Sequence, residues 1–129
     1  MICSVTVPAL AAALDLAPHP EGGWYRRTWT SSVTVDTAHG ARPSATAILY
    51  LLDGVSRRHR VRSAELWCRH SGSAVLLSVG GSEHRLDPGH PQVLVPGGTW
   101  QSARLLGPDP ALVTCVVSPG FDFADFELA

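Results

Sequence analysis

Three side chains near the middle of the sequence have the types and spacing for chemistry: His59, Glu65 and Gln101. In "HRVRSAELWCRHSG" a strand period of two puts His59, Val61, Ser63, Glu65, Trp67 and Arg69 on one face, with Arg60, Arg62, Ala64, Leu66, Cys68 and His70 on the other. A carboxyl and an imidazole among Val and Trp have the makeup of a polar site in an apolar lining. Burial raises a carboxyl's pKa and imidazole titrates near neutrality, so either group can take or return a proton near pH 7. The structural alternative is that His59 and Glu65 pair with each other or with arginines inside the fold. Gln101, in "VLVPGGTWQSARLL", is in phase with Ala103 and Leu105 on an expected buried face. A buried amide without partners costs about 1–3 kcal/mol. Because an amide donates and accepts at once, Gln101 suits orienting a substrate carbonyl or hydroxyl while bonding Glu65, and backbone at the adjacent turn would satisfy it as well.

Around this trio, Trp67 is in phase with Glu65 and is the candidate for stacking a flat or sugar-like ligand, while Tyr25 and Tyr50 offer phenols. "EGGWYRR" carries Glu21 before paired glycines, then Arg26 and Arg27 on opposite faces, one of which is a candidate clasp for a carboxylate or phosphate. His19, His39, His84 and His90 lie in Pro/Gly-rich or polar surroundings and read as loop residues. Cys68, with His70 two residues on, points away from Glu65 and reads as a small hydrophobe.

These residues need a scaffold, and the pattern of breakers supplies one. Residues 8–14 ("PALAAAL") form the one convincing helix, with Pro at a first-turn position. Beyond Gly23 the chain is cut by Gly, Pro, Asp and Ser into strand-length pieces near 24–31, 46–52, 58–69, 74–79, 83–86, 92–95, 100–106 and 112–118. That is the pattern of a small antiparallel jelly roll, expected as one domain over residues 1–129. The glycines at 80–82 and 96–98 read as hairpin turns rather than phosphate loops, since no helix follows them.

Composition excludes several partners. Hydrophobic residues make up 45% and charged ones 16%, the net charge is −1, and there is no lysine, which argues against nucleic acid or an anionic membrane surface. Three cysteines, Cys3, Cys68 and Cys115, form no C-x-x-C pair and suggest reduced thiols in a cytoplasmic protein. The N-terminal stretch lacks a basic n-region and is interrupted by Pro8 and Asp15, so it is not expected to be a signal peptide, and no run approaches the roughly 20 apolar residues of a membrane span. A surface this poor in charge suggests a subunit contact.

The same motifs carry a resemblance. His59, Glu65 and Gly72, then Pro96 and Gly98, match the two short motifs of the cupin superfamily, small β-barrel jelly rolls. "HPEGGWYRRTWTS", "ATAILYLL", "HRVRSAELW", "PQVLVPGGTWQSARLL" and "SPGFDFADFEL", in that order, resemble a small cupin family of largely unassigned function whose fold is similar to the sugar-nucleotide epimerases. The chain departs from the pattern at four positions. Arg57 and Gln101 stand where metal-binding cupins place histidines, and Ala64 and Cys68 replace the family's usual Asp and His.

Metal cupins hold their ion with three His and one Glu, and only His59 and Glu65 remain here. The resemblance therefore implies a metal-independent enzyme with no cofactor, acting on a small polar or carbonyl-bearing metabolite by isomerisation, epimerisation or related lyase or cyclase chemistry. In that reading His59 and Glu65 are acid and base, Gln101 and Arg26 orient the substrate, and Tyr25, Tyr50 and Trp67 line the pocket. One alternative is a non-catalytic small-molecule binder. Another is a degenerate metal cupin holding a weak divalent ion through His59, Glu65, Gln101 and water. Barrels of this resemblance commonly pair, so a homodimer is expected.

Overall fold

The computed structural model describes residues 6–129, leaving Cys3 outside the described residues. In chain order the elements are helix α1 (Ala9–Ala13) and strands β1 (Ala17–Pro18), β2 (Trp24–Thr30), β3 (Thr34–Thr37), β4 (Gly40–Pro43), β5 (Thr46–Leu52), β6 (Val55–Val61) and β7 (Ala64–Ser71). They continue with β8 (Val75–Val79), β9 (Ser82–Leu86), β10 (Gln92–Val95), β11 (Gln101–Leu105), β12 (Ala111–Ser118), a 3-10 turn (Phe123–Asp125) and β13 (Phe126–Leu128). Two antiparallel sheets face each other, a six-stranded one in the order β1-β2-β5-β12-β7-β10 and a five-stranded one in the order β13-β6-β11-β8-β9. The fold is the all-β jelly roll with a short N-terminal helix that the turn spacing predicts. No helix among the described residues is long and apolar enough to cross a membrane.

Alternation builds the core. Along β12, Ala111, Val113, Cys115 and Val117 are buried between the sheets while the intervening residues lean outward. β5 instead buries three consecutive residues, Tyr50, Leu51 and Leu52. Its outer face is covered, because Leu51 packs with Ala11, Leu16 and Trp24 under α1 while Tyr50 and Leu52 join the inter-sheet core. A strand covered on both faces loses its polar phase, which explains the unbroken apolar run "AILYLL".

The continuous strand expected over 58–69 is corrected by the structure. The chain breaks at Arg62 and Ser63, sending β6 into the five-stranded sheet and β7 into the six-stranded one. The gap is two residues long, an even number, so the phase survives and His59, Val61, Glu65 and Trp67 all remain inward. The break is held by the turn after β10. Gly98 N–H donates to Val61 O at 2.7 Å, and Gly97 lies so close to Arg62 O that a Cβ would collide with it. This turn is therefore a crossover between sheets and not the hairpin its glycines suggest, whereas Gly80 and Gly81 do close the β8–β9 hairpin.

Four strands have no counterpart in the sequence reading: the two-residue β1, the β3–β4 hairpin and the C-terminal β13, which pairs Phe126 with Val61 and Leu128 with His59. Arg42 of β4 donates to both carboxylate oxygens of Asp125, at 2.9 and 3.1 Å, and so fastens the hairpin to the C-terminal segment.

Candidate active site

The two sheets and the C-terminal segment enclose a cavity of about 260 Å³. Its chemistry begins with an irregularity in β6. Gln101 of β11 is opposite His59 but Ala103 is opposite Ser56, so β6 carries an extra residue there. The bulge turns Ser56 and His59 to the same inward face, although their spacing of three would separate them in a regular strand. It also aims His59 Nδ1 at Arg57 O, 2.6 Å away. A carbonyl only accepts, so Nδ1 carries the proton and Nε2 is left bare.

His59 Nε2 faces Glu21 Oε2 at 3.4 Å, and the other oxygen of Glu21 lies 3.3 Å from His19 Nδ1. Ser56 Oγ donates to Glu21 Oε2. The sharp turn at Gly22 and Gly23 makes this possible: both have positive φ, 104° and 74°, and a Cβ on Gly23 would sit 2.6 Å from Leu51 O. Tyr50 stands behind the turn, its hydroxyl donating to Gly22 O at 2.6 Å. Glu21 N–H donates to His19 Nδ1 at 3.1 Å, so neutral His19 carries its proton on Nε2.

The distances in this His–Glu–His array would fit ion pairs, but burial drives every member toward its neutral form. Burial and the nearby Glu65 carboxyl push Glu21 up to about 8, against the lowering effect of the Ser56 hydroxyl. Burial, with the His59 ring adding to it, lowers His19 to about 4, and burial lowers His59 as well. Glu21 is thus protonated at neutral pH, and its single proton can be given to only one of the two bare imidazole nitrogens, His19 Nδ1 or His59 Nε2.

Glu65 faces the same cavity from the opposite sheet. Burial raises its pKa, against the opposing pull of hydrogen bonds from Gln101 and Cys115. Gln101 Nε2 donates to Glu65 Oε1 at 2.8 Å while its Oε1 accepts from the Trp67 indole at 3.1 Å. An indole N–H only donates, so Trp67 fixes which end of the amide meets Glu65.

The structure thus brings His59, Glu65 and Tyr25 to the cavity wall and sets other expected site residues elsewhere. Trp67 is 1% exposed and sits in the core beneath Gln101, where no ligand can stack on it. Gln101 is 2% exposed and both ends of its amide are engaged by protein. The Tyr50 hydroxyl is held by backbone, and burial lifts the phenol well above its ordinary range. Arg26 points to the helix side and donates to Leu14 O at 3.0 Å. Its neighbour Arg27, in phase with Tyr25, lines the cavity and donates to Phe121 O at 2.9 Å. His19 is a loop residue, as expected, but its loop sets it on the cavity wall, while His39, His84 and His90 are exposed. Cys68 leans outward and the lining thiol is Cys115, whose pKa burial raises well above the usual thiol range.

The sequence reading did not select Glu21 for chemistry, nor the three phenylalanines, Phe121, Phe123 and Phe126, that roof the cavity. A signal for Glu21 existed: a lone carboxylate beside Gly-Gly in an apolar stretch, two residues from a histidine.

Within the trio proposed as weak metal ligands, both ends of the Gln101 amide are engaged by protein. The carbonyl oxygen of Gln101 is taken by Trp67 and its amine, a donor, faces Glu65. Among the described residues, no three His, Cys, Asp or Glu side chains are grouped as ligands.

Comparison with solved structures places this geometry among known folds. A hypothetical protein from Leishmania major superposes with a TM-score of 0.85 at 31% identity, covering 92% of this chain and 84% of that one. A protein from Shewanella oneidensis gives 0.82 at 33% identity, covering 93% and 82%. KdgF from a Halomonas species gives 0.62 at 22% identity, covering 85% and 90%, a likeness of fold alone. No curated protein matches the chain. Residues 8–129 match the family model described as Cupin superfamily (DUF985), and together with the two relatives above 30% identity this match shows that the chain belongs to that cupin family.

Proposed function

We propose that this cupin is a metal-independent enzyme that moves protons on a small polar or carbonyl-bearing metabolite, as an isomerase, epimerase or related lyase. The observation that carries the reading is the Glu21 carboxyl set between His19 Nδ1 and His59 Nε2, on the wall of a cavity that Glu65 also faces. The Glu21 carboxyl, which holds its proton up to about 8, the Glu65 carboxyl, whose pKa burial raises, and a bare imidazole nitrogen are groups matched to acid and base work.

For a substrate with a hydrogen on the carbon next to its carbonyl, the balance runs as follows. Glu21 passes its own proton to His59 Nε2 and takes the carbon-bound proton, while Glu65 gives its proton to the carbonyl oxygen, leaving a neutral enol. Reversal, with the proton returned to the other face or to a neighbouring carbon, gives the epimer or isomer. Gln101, fixed by Trp67, holds Glu65 in place, and the raised Tyr50 phenol buttresses the Glu21 turn. The roles expected of His59 and Glu65 are kept, with Glu21 added as the group that receives the proton.

The test is hydrogen–deuterium exchange in D2O, followed by proton NMR, over a panel of 2-oxo acids, hydroxyketones and lactones. At least one compound is expected to exchange its α-proton in the presence of the protein, and Glu21→Gln and Glu65→Gln are each expected to abolish the exchange. Exchange that survives Glu21→Gln would overturn the role given to Glu21, and a panel that shows none would overturn the reading in favour of a binding protein.

A further inference from the structure

We propose that the cavity takes small monocarboxylates with a flat body, anchored by Arg27 at the mouth. The inference deepens the proposed function by naming the substrate class, and rests on the same cavity being the reaction site.

Arg27 is the one guanidinium that lines the cavity, and it pairs with no carboxylate among the described residues. Its hydrogen bond to Phe121 O holds the head at the rim and uses one terminal nitrogen. The remaining N–H donors of the fork have no protein acceptor among the described residues, and a fork of this kind matches a planar carboxylate. A single cation suits a charge of −1 better than a phosphate dianion.

The walls between Arg27 and the Glu21–His59 array are rings. Phe121 and Phe123 meet edge to face at 4.9 Å between centroids, Phe123 and Phe126 at 5.8 Å, and His19 and Tyr25 at 4.6 Å. Such a slot favours a planar or unsaturated body. A volume of about 260 Å³ equals about nine waters at ~30 Å³ each, which suits a compound of roughly ten non-hydrogen atoms. A whole nucleotide sugar would not be enclosed. The ligand so defined has its carboxylate at Arg27, its flat portion among the phenylalanines and a carbonyl or hydroxyl toward Glu21 and Glu65.

Titration calorimetry with benzoate and with neutral benzamide, nearly the same shape, tests this. Benzoate is expected to bind about tenfold or more tightly than benzamide at pH 7. Arg27→Gln is expected to remove that preference and Arg26→Gln to keep it. Thermal unfolding verifies that each variant is folded, as is expected for exposed positions. Equal binding of the two probes, no binding of either at millimolar concentration, or a preference that survives Arg27→Gln would overturn the proposal. Benzoate binding is expected to persist in Glu21→Gln. An Arg27-dependent benzoate preference without α-proton exchange in any compound would therefore sustain this inference while refuting the catalytic one.

Discussion

Replacing Glu21 by glutamine should stabilise the protein increasingly as pH rises, because the wild-type carboxyl is held protonated in a buried site. In the unfolded chain this carboxyl ionises at its ordinary value of 4.5, whereas in the folded protein it holds its proton up to about 8. Between those values the folded state binds one more proton than the unfolded state, so wild-type stability falls as pH rises, by about 1.36 kcal/mol per pH unit. His19 works in the opposite sense. Its value falls from 6.5 to about 4, so the unfolded state binds the extra proton in that interval and stability rises with pH there. The two contributions oppose each other below pH 6.5, leaving Glu21 alone from 6.5 to 8. Over that interval wild type should lose about 2 kcal/mol relative to Glu21→Gln. Lowered His19, raised Glu65 and lowered His59 are present in both proteins and drop out of the difference to first order. Urea unfolding of both proteins at pH 5, 6.5, 7.25 and 8 measures it. If the array were instead a true ion pair, Glu21→Gln would be destabilised by about 3–5 kcal/mol at neutral pH. Parallel pH curves, or a wild type that gains on the variant above pH 6.5, would refute the reasoning.

Gln101→Leu leaves the Trp67 indole and the Glu65 carboxyl without their shared partner, and thermal or urea unfolding should show a loss of about 1–3 kcal/mol. Gly23→Ala puts a side chain at φ 74° against Leu51 O; a destabilisation of more than about 1 kcal/mol is expected, together with loss of α-proton exchange as Glu21 is displaced. Dialysis against EDTA should leave that exchange unchanged, and elemental analysis of protein purified without added metal should find no stoichiometric transition metal; an exchange rate that falls on chelation and returns with zinc or nickel would contradict the metal-independent mechanism.

The sequence by itself determined the barrel and part of its site. Breakers at regular intervals defined most strands, and strand parity put His59, Glu65, Trp67 and Gln101 on inward faces, because a period of two survives any even-numbered break. Arg27 rather than Arg26 was not legible, since opposite phases tell two residues apart without saying which faces the cavity. Only the tertiary structure decided what each inward side chain meets. The β6 bulge that aligns Ser56 with His59 adds one residue without any glycine to mark it. Glu21 and His19 reach the site through a turn between strands, where periodicity carries no information. Phe121, Phe123 and Phe126 become a roof only because β13 returns to pair with β6. Gln101, standing where metal-binding relatives carry a histidine, is fixed between an indole donor and a carboxyl acceptor contributed by the facing sheet. Pairing across sheets depends on how they close over one another, and one strand's sequence does not encode that closure.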